Sequence, residues 1–154
     1  MLEAPRIIQT IAKTAAVIPL KIPRAEMMKS FGPAAGELFA ALKAQGIAPE
    51  GALFAHHLHM SSDMFDFELG VRVASPVVEN GRVKPGELPA AKTAQAVYVG
   101  PYEGLPGAWS EFSQWIKANG HEPRDDLWEI YSTGPQSTSD PARWRTELVR
   151  PLRG

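Results

Sequence analysis

Apolar residues recur along this chain with two periods. Phe31, Ala35, Leu38 and Leu42 are spaced four, three and four residues apart, and Leu105, Trp109, Phe112 and Ile116 repeat that spacing. Each set makes one face of an α-helix. Gly46 and Gly120 follow these faces, where a left-handed C-terminal cap is wanted, each with a proline three residues on. Past each helix the pattern shifts to that of strands, predicting Leu53–His57 and Met64–Val73 after the first helix and Leu127–Tyr131 and Arg143–Leu152 after the second. The runs Ala15–Leu20 and Gln95–Gly100 predict one more strand ahead of each helix.

The two halves are copies of one unit. Leu42–Pro49 and Ile116–Pro123 align at an offset of 74 residues with Lys, Ala, Gly and Pro identical, and the strand after each helix keeps that offset. The offset grows to 79 for the last strand because the loop Thr133–Pro141 is longer. Each half therefore reads β-α-β-β. The expected fold is α+β: a pseudo-twofold tandem repeat forming a curved antiparallel sheet, with both helices on one face and a ligand groove on the other. The repeats run from about 8 to 75 and from about 90 to 153 within one domain, 1–154. Ala74–Ala94 is then a connection between repeats, and Asn80-Gly81 within it marks a hairpin.

Strand alternation sorts the side chains. Two helices need apolar cover, which assigns Trp128 and Ile130 to the helix side and Glu129 and Tyr131 to the opposite face. The same logic puts Phe67, Leu69, Val71, Val97, Val99, Trp144, Thr146 and Leu148 under the helices. The helix-free face then carries Tyr98, Glu129, Tyr131, Glu68 and Glu147, with His57 at the position equivalent to Tyr131. Carboxylates among aromatic rings suit a planar or cationic ligand, through stacking, cation–π attraction and charge.

Composition narrows the options. Sixteen Lys and Arg against seventeen Asp and Glu give a net charge of −1, which implies no general affinity for nucleic acid or an anionic membrane. Absent cysteine excludes a disulfide framework, thiolate zinc sites and thiol catalysis. No apolar run is long enough to span a membrane, and polar residues Gln9, Thr10, Lys13 and Thr14 break up any signal sequence, so a cytoplasmic protein is expected. His56-His57-x-His59 resembles a metal ligand set, but on a strand His56 points away from the other two, and no metal is expected. Gly100–Gly104 lacks a phosphate loop's lysine, and Ser110, Ser113 and Ser137–Ser139 lack a nucleophile-elbow context. The C-terminal arginines Arg143, Arg145, Arg150 and Arg153 read as a solvated rim.

Three stretches carry a family resemblance. Val97-Tyr98-Val99-Gly100-Pro101-Tyr102 ahead of a helix with Trp109 and Trp115, then Trp128-Glu129-Ile130-Tyr131, then Thr146–Leu152, together resemble the GyrI-like family over roughly residues 8–153. Phe65–Val71 also resembles that family's acidic strand. The family includes effector-binding domains of bacterial transcription activators of the AraC and MerR classes, and its fold is related to that of SOUL haem-binding proteins. The resemblance implies a groove for bulky, often cationic aromatic compounds with a central glutamate, matched here by Glu129. No helix-turn-helix precedes the first strand, so a stand-alone binding module is expected, one that sequesters or senses an aromatic or cationic small molecule. The alternative is a hydrolase that opens electrophilic cyclopropane rings in DNA-alkylating natural products, with Glu129 and Tyr131 as the catalytic pair. A second alternative is a gyrase-inhibitor-like module that binds a protein partner. The candidate ligand-binding set is Glu129, Tyr131, Tyr98, Tyr102, Trp109, Glu68, Glu147 and His57. No cofactor is expected; no histidine has a distinctive haem-ligand context.

Overall fold

A computed structural model describes residues 2–23, 26–60, 64–88, 90–133 and 139–153. The fold is mixed α+β with two helices, α1 (Met27–Ala44) and α2 (Leu105–Ala118). The strands are β1 (Leu2–Gln9), β2 (Lys13–Pro23), β3 (Phe54–Met60), β4 (Met64–Arg72), β5 (Lys84–Leu88), β6 (Lys92–Val99), β7 (Leu127–Thr133) and β8 (Arg145–Pro151). The chain divides into two compact units, Ile11–Ala90 and Met1–Thr10 with Ala91–Gly154.

Each unit contains the expected β-α-β-β repeat. In the unit Ile11–Ala90, the strands run β3-β4-β2-β5, all antiparallel, and α1 packs against β2 and β4. Ile18, Leu38, Leu42, Phe67, Leu69 and Val71 are almost fully buried there. The Asn80-Gly81 hairpin forms as expected: Asn80 and Val83 exchange backbone hydrogen bonds at 3.0 Å. It returns the chain as β5, which pairs with β2. In the other unit the order is β1-β6-β8-β7, again antiparallel, with α2 over it. The segment before Thr10 thus belongs to the second repeat's sheet, where Leu2 and Ile7 pack on the α2 core. Residues 134–138, Ser137 among them, lie outside the described residues.

The helix ends show how literally the repeat is kept. Gly46 and Gly120 both adopt positive φ, 68° and 79°. In each, the glycine N–H donates back to a lysine carbonyl, Lys43 or Lys117, and the next N–H donates to Leu42 or Ile116. That is the paired bonding of a Schellman cap, which a residue with a Cβ adopts only with strain. Past the caps, Pro49 bridges Val73 and Pro123 bridges Leu152, again at matching repeat positions.

Candidate ligand site

The register of the second unit decides which residues share a face. Ala96 pairs with Leu148, and Tyr98 with Thr146. Glu129 pairs with Leu148, and Tyr131 with Thr146. Paired residues lie on one face of a sheet. Ala96, Tyr98 and Leu148 form one buried cluster with Leu105, Ala108, Phe112 and Ile116 of α2. Glu129 and Tyr131 therefore face α2, the reverse of the expected orientation, and so does Tyr98. The reason lies in Trp128: it is only 5% exposed although it points away from α2, and its partner Val149 is buried beside it. Both faces of β7 are covered, so hydrophobicity alone does not mark its helix side. On β6 the small residues Ala94 and Ala96 face α2, and Val97 and Val99 point away from it.

This orientation builds a carboxylate site under the helix. Glu129 is only 9% exposed. The indole Nε1–H of Trp109, on α2, donates to Glu129 Oε2 at 2.7 Å, and the Tyr131 hydroxyl donates to Oε1 at 2.8 Å. Bonds from N–H and O–H donors to an anion are about twice as strong as neutral ones, and they offset the desolvation of a nearly buried charge. The Tyr131 ring meets the edge of Tyr102 at 5.7 Å, and Tyr102 lies 4.7 Å from Trp144. Between Tyr98 and Tyr131 sits Thr146, fully buried, with no hydrogen-bond partner for its hydroxyl among the described residues.

The charge of Glu129 is felt at both phenols. Burial, then the Glu129 charge and its hydrogen bond, push the Tyr131 hydroxyl well above its ordinary value of 10.0. Burial, then Glu129, also raise Tyr102. Both phenols are therefore protonated throughout the physiological range, and Tyr131 acts as a donor. A tyrosine in the unfolded chain ionises near 10.0 whereas folded Tyr131 keeps its proton. Above that pH the unfolded state binds fewer protons than the native one, so this contribution is complete below about 10 and is lost as pH rises further. Thermal melts should show an alkaline fall in Tm beginning near pH 10, and Tyr131→Phe should reduce it; an identical fall in both proteins would contradict the assignment.

The structure gathers Glu129, Tyr131, Tyr102 and Trp109 of the expected set. Tyr98 lies on the same face, but its hydroxyl donates to the Pro101 carbonyl at 2.8 Å. Glu147 points the other way, across from Val97 and Ile130, and accepts a 2.6 Å hydrogen bond from Ser132. In the unit Ile11–Ala90, His57 pairs with Phe67 and packs on its ring at 5.2 Å, whereas Glu68 pairs with His56, 3.7 Å from its imidazole. His57 and Glu68 thus occupy opposite faces of their sheet and do not form the joint face expected. No group of three metal-ligating side chains occurs among the described residues. Trp144 and Thr146, which strand alternation places on the helix side but not in the candidate ligand set, border the site.

The repeat shows that this chemistry is confined to one half. At the offset of 74 residues, Trp109, Glu129 and Tyr131 correspond to Ala35, Ala55 and His57. The carboxylate and its indole donor have no counterpart in the first repeat.

A GyrI-like small molecule binding domain profile matches residues 3–153. The chain belongs to the GyrI-like family. Among solved structures, the C-terminal domain of EcmrR matches this GyrI-like chain with a TM-score of 0.87 at 21% identity, over 99% of both chains. EcmrR in its DNA complex matches at 0.85 and 20% identity, over 97% of this chain and 57% of that one, so the chain spans little more than half of it. A hydrolase from Listeria innocua matches at 0.73 and 15% identity, over 97% of this chain and 91% of that one. SAV2435 bound to tetraphenylphosphonium matches at 0.67 and 12% identity, over 98% of this chain and 94% of that one. At these identities the likeness establishes the fold. No curated protein matches the chain in sequence. No helix among the described residues is long and apolar enough to cross a membrane.

Proposed function

We propose that this GyrI-like domain binds bulky aromatic cations, either sequestering them or sensing them for a partner, and that Glu129 supplies the charge they recognise. The observation that carries this is a nearly buried carboxylate, held by an indole N–H and a phenol O–H and bordered by the rings of Trp109, Tyr131 and Tyr102. The Glu129 charge, which adds to burial in raising the Tyr102 hydroxyl, favours a positive charge beside it. Ring faces add cation–π attraction and stacking to the Coulomb term. The family's small-molecule-binding character and the tetraphenylphosphonium bound to SAV2435 support the same reading.

Tetraphenylphosphonium is a suitable probe because it joins four aromatic rings to a permanent charge. Titration should quench tryptophan fluorescence saturably, since Trp109 and Trp144 border the site, and mass spectrometry should recover the probe unchanged. Absence of both quenching and retention would overturn the reading. The Listeria hydrolase, with the same fold, motivates a parallel incubation with a cyclopropane-bearing alkylator. Recovery of the intact compound is expected. A gain of one water would instead assign Glu129 as the base that activates water, with Tyr131 donating to the oxygen that gains charge.

A further inference from the structure

The turn Gly100–Gly104, between β6 and α2, is more constrained than a strand-to-helix connection requires. Tyr98 is 6% exposed and packed among Ala96, Leu105 and Ala108 of the α2 core. Its hydroxyl reaches over the turn and donates to the Pro101 carbonyl at 2.8 Å, which also accepts the Gly104 N–H at 3.1 Å. Two glycines make room for that hydroxyl. Gly100 has φ +144°, and a Cβ there would lie 2.9 Å from the phenol oxygen. A Cβ on Gly104 would overlap the same oxygen outright. Gly104 closes a single 3-10 turn, Tyr102–Gly104, that runs straight into α2, and neither Pro101 ahead of that turn nor Gly104 supplies a side-chain cap. The glycine at this junction accommodates the phenol.

We infer that Tyr98 is a positioning residue for the ligand site: its hydroxyl latches the turn that presents Tyr102 to Trp144 and Tyr131. This rests on the small-molecule reading above and extends it to a residue that acts through the turn it holds. Tyr102 lies between the two ends of the latch, Pro101 and Gly104. The Gly100 N–H, donating to the Trp144 carbonyl at 2.9 Å, pins the other side of the turn. With both fixed, the Tyr102 ring sits 4.7 Å from Trp144 and 5.7 Å from Tyr131, whose hydroxyl in turn holds Glu129. An aromatic wall set before binding spares the ligand the entropy of ordering it.

The test is Tyr98→Phe in the full chain, which keeps the ring and removes the donor. Circular dichroism should be unchanged. In the ligand-free protein, nuclear Overhauser contacts between the Tyr102 and Trp144 rings should weaken and the Gly104 amide should exchange faster. Tetraphenylphosphonium affinity should fall about 3- to 10-fold, the range for one hydrogen bond. In a Tyr102→Ala background, Tyr98→Phe should cause no further loss, because the latch acts through Tyr102. Gly104→Ala should reproduce the weakened ring contacts by crowding the phenol from the helix side. Unchanged ring contacts in Tyr98→Phe, or a loss that adds fully to that of Tyr102→Ala, would overturn the inference. If the wild-type protein does not bind tetraphenylphosphonium, the cation reading fails, and the ligand-free ring contacts alone decide whether the latch exists.

Discussion

Phe112→Ala should lose about 3–5 kcal/mol of stability, as truncation of a buried aromatic does when its surroundings cannot collapse. Phe112 is completely buried at the centre of the α2 face, with Ile116 and Leu148 equally inaccessible beside it. Its ring lies 5.9 Å from that of Trp109 and 6.2 Å from that of Trp115. Two large rings on the same helix restrict how far the backbone can close over a void. For a chain of this length each kcal/mol moves Tm by about 2–4 °C, so a fall of roughly 10 °C is expected in a thermal melt. Trp115→Ala should cost less, because that ring is only partly buried. A Phe112→Ala protein with unchanged melting would show that α2 does not seat on this face. Trp109 packs on Phe112, so the truncation should also loosen the indole donor of Glu129 and weaken ligand binding.

The helices were legible because each carries an unbroken apolar face closed by glycine and proline, and a duplicated pattern is its own control. The strands of the two repeats follow for the same reason. The two strands outside the repeat pattern are β1, which no alternation marks, and β5, which only the Asn80-Gly81 hairpin foreshadows. Pro5 interrupts β1, and β5 reads Lys-Pro-Gly-Glu-Leu, whose proline and glycine suit an end position in the strand order. The strand faces were misread where both sides of a strand are buried. On β7 the large apolar Trp128 drew the helix assignment, yet Glu129 is the residue under α2.

A signal for the correct face was present in the sequence. Trp109 falls in the same helical stripe as Leu105, Phe112 and Ile116, which turns its indole toward the sheet. A buried indole N–H needs an acceptor. Of the residues on the adjoining strand, Glu129 alone offers a carboxylate in the sequence Leu127–Tyr131. Pairing that donor with that acceptor places Glu129 and Tyr131 on the helix side. Strand alternation puts Thr146 and Trp144 on the helix side, but which residues they meet there depends on the cross-strand register, which is settled only when β8 lies between β6 and β7.

Glu129→Gln should separate charge from shape at the site. The glutamine fills the same volume. Its carbonyl can still accept from Trp109, and the Tyr131 hydroxyl can turn to accept from the new amide. The change therefore removes one negative charge and reorganises one hydrogen bond, without opening a cavity. A cationic ligand loses its Coulomb partner, an effect of about 1–3 kcal/mol, equivalent to roughly a 5- to 150-fold weaker Kd. A neutral ligand of similar shape loses only contacts that glutamine also provides.

Isothermal titration of the wild-type and Glu129→Gln proteins with tetraphenylphosphonium and with neutral triphenylphosphine oxide reads this difference directly. The expected result is a wild-type preference for the cation that falls about tenfold or more in the variant, with the affinity for the neutral compound little changed. Equal affinities of the two proteins for tetraphenylphosphonium would contradict the assignment of Glu129 as the charge that recognises the ligand.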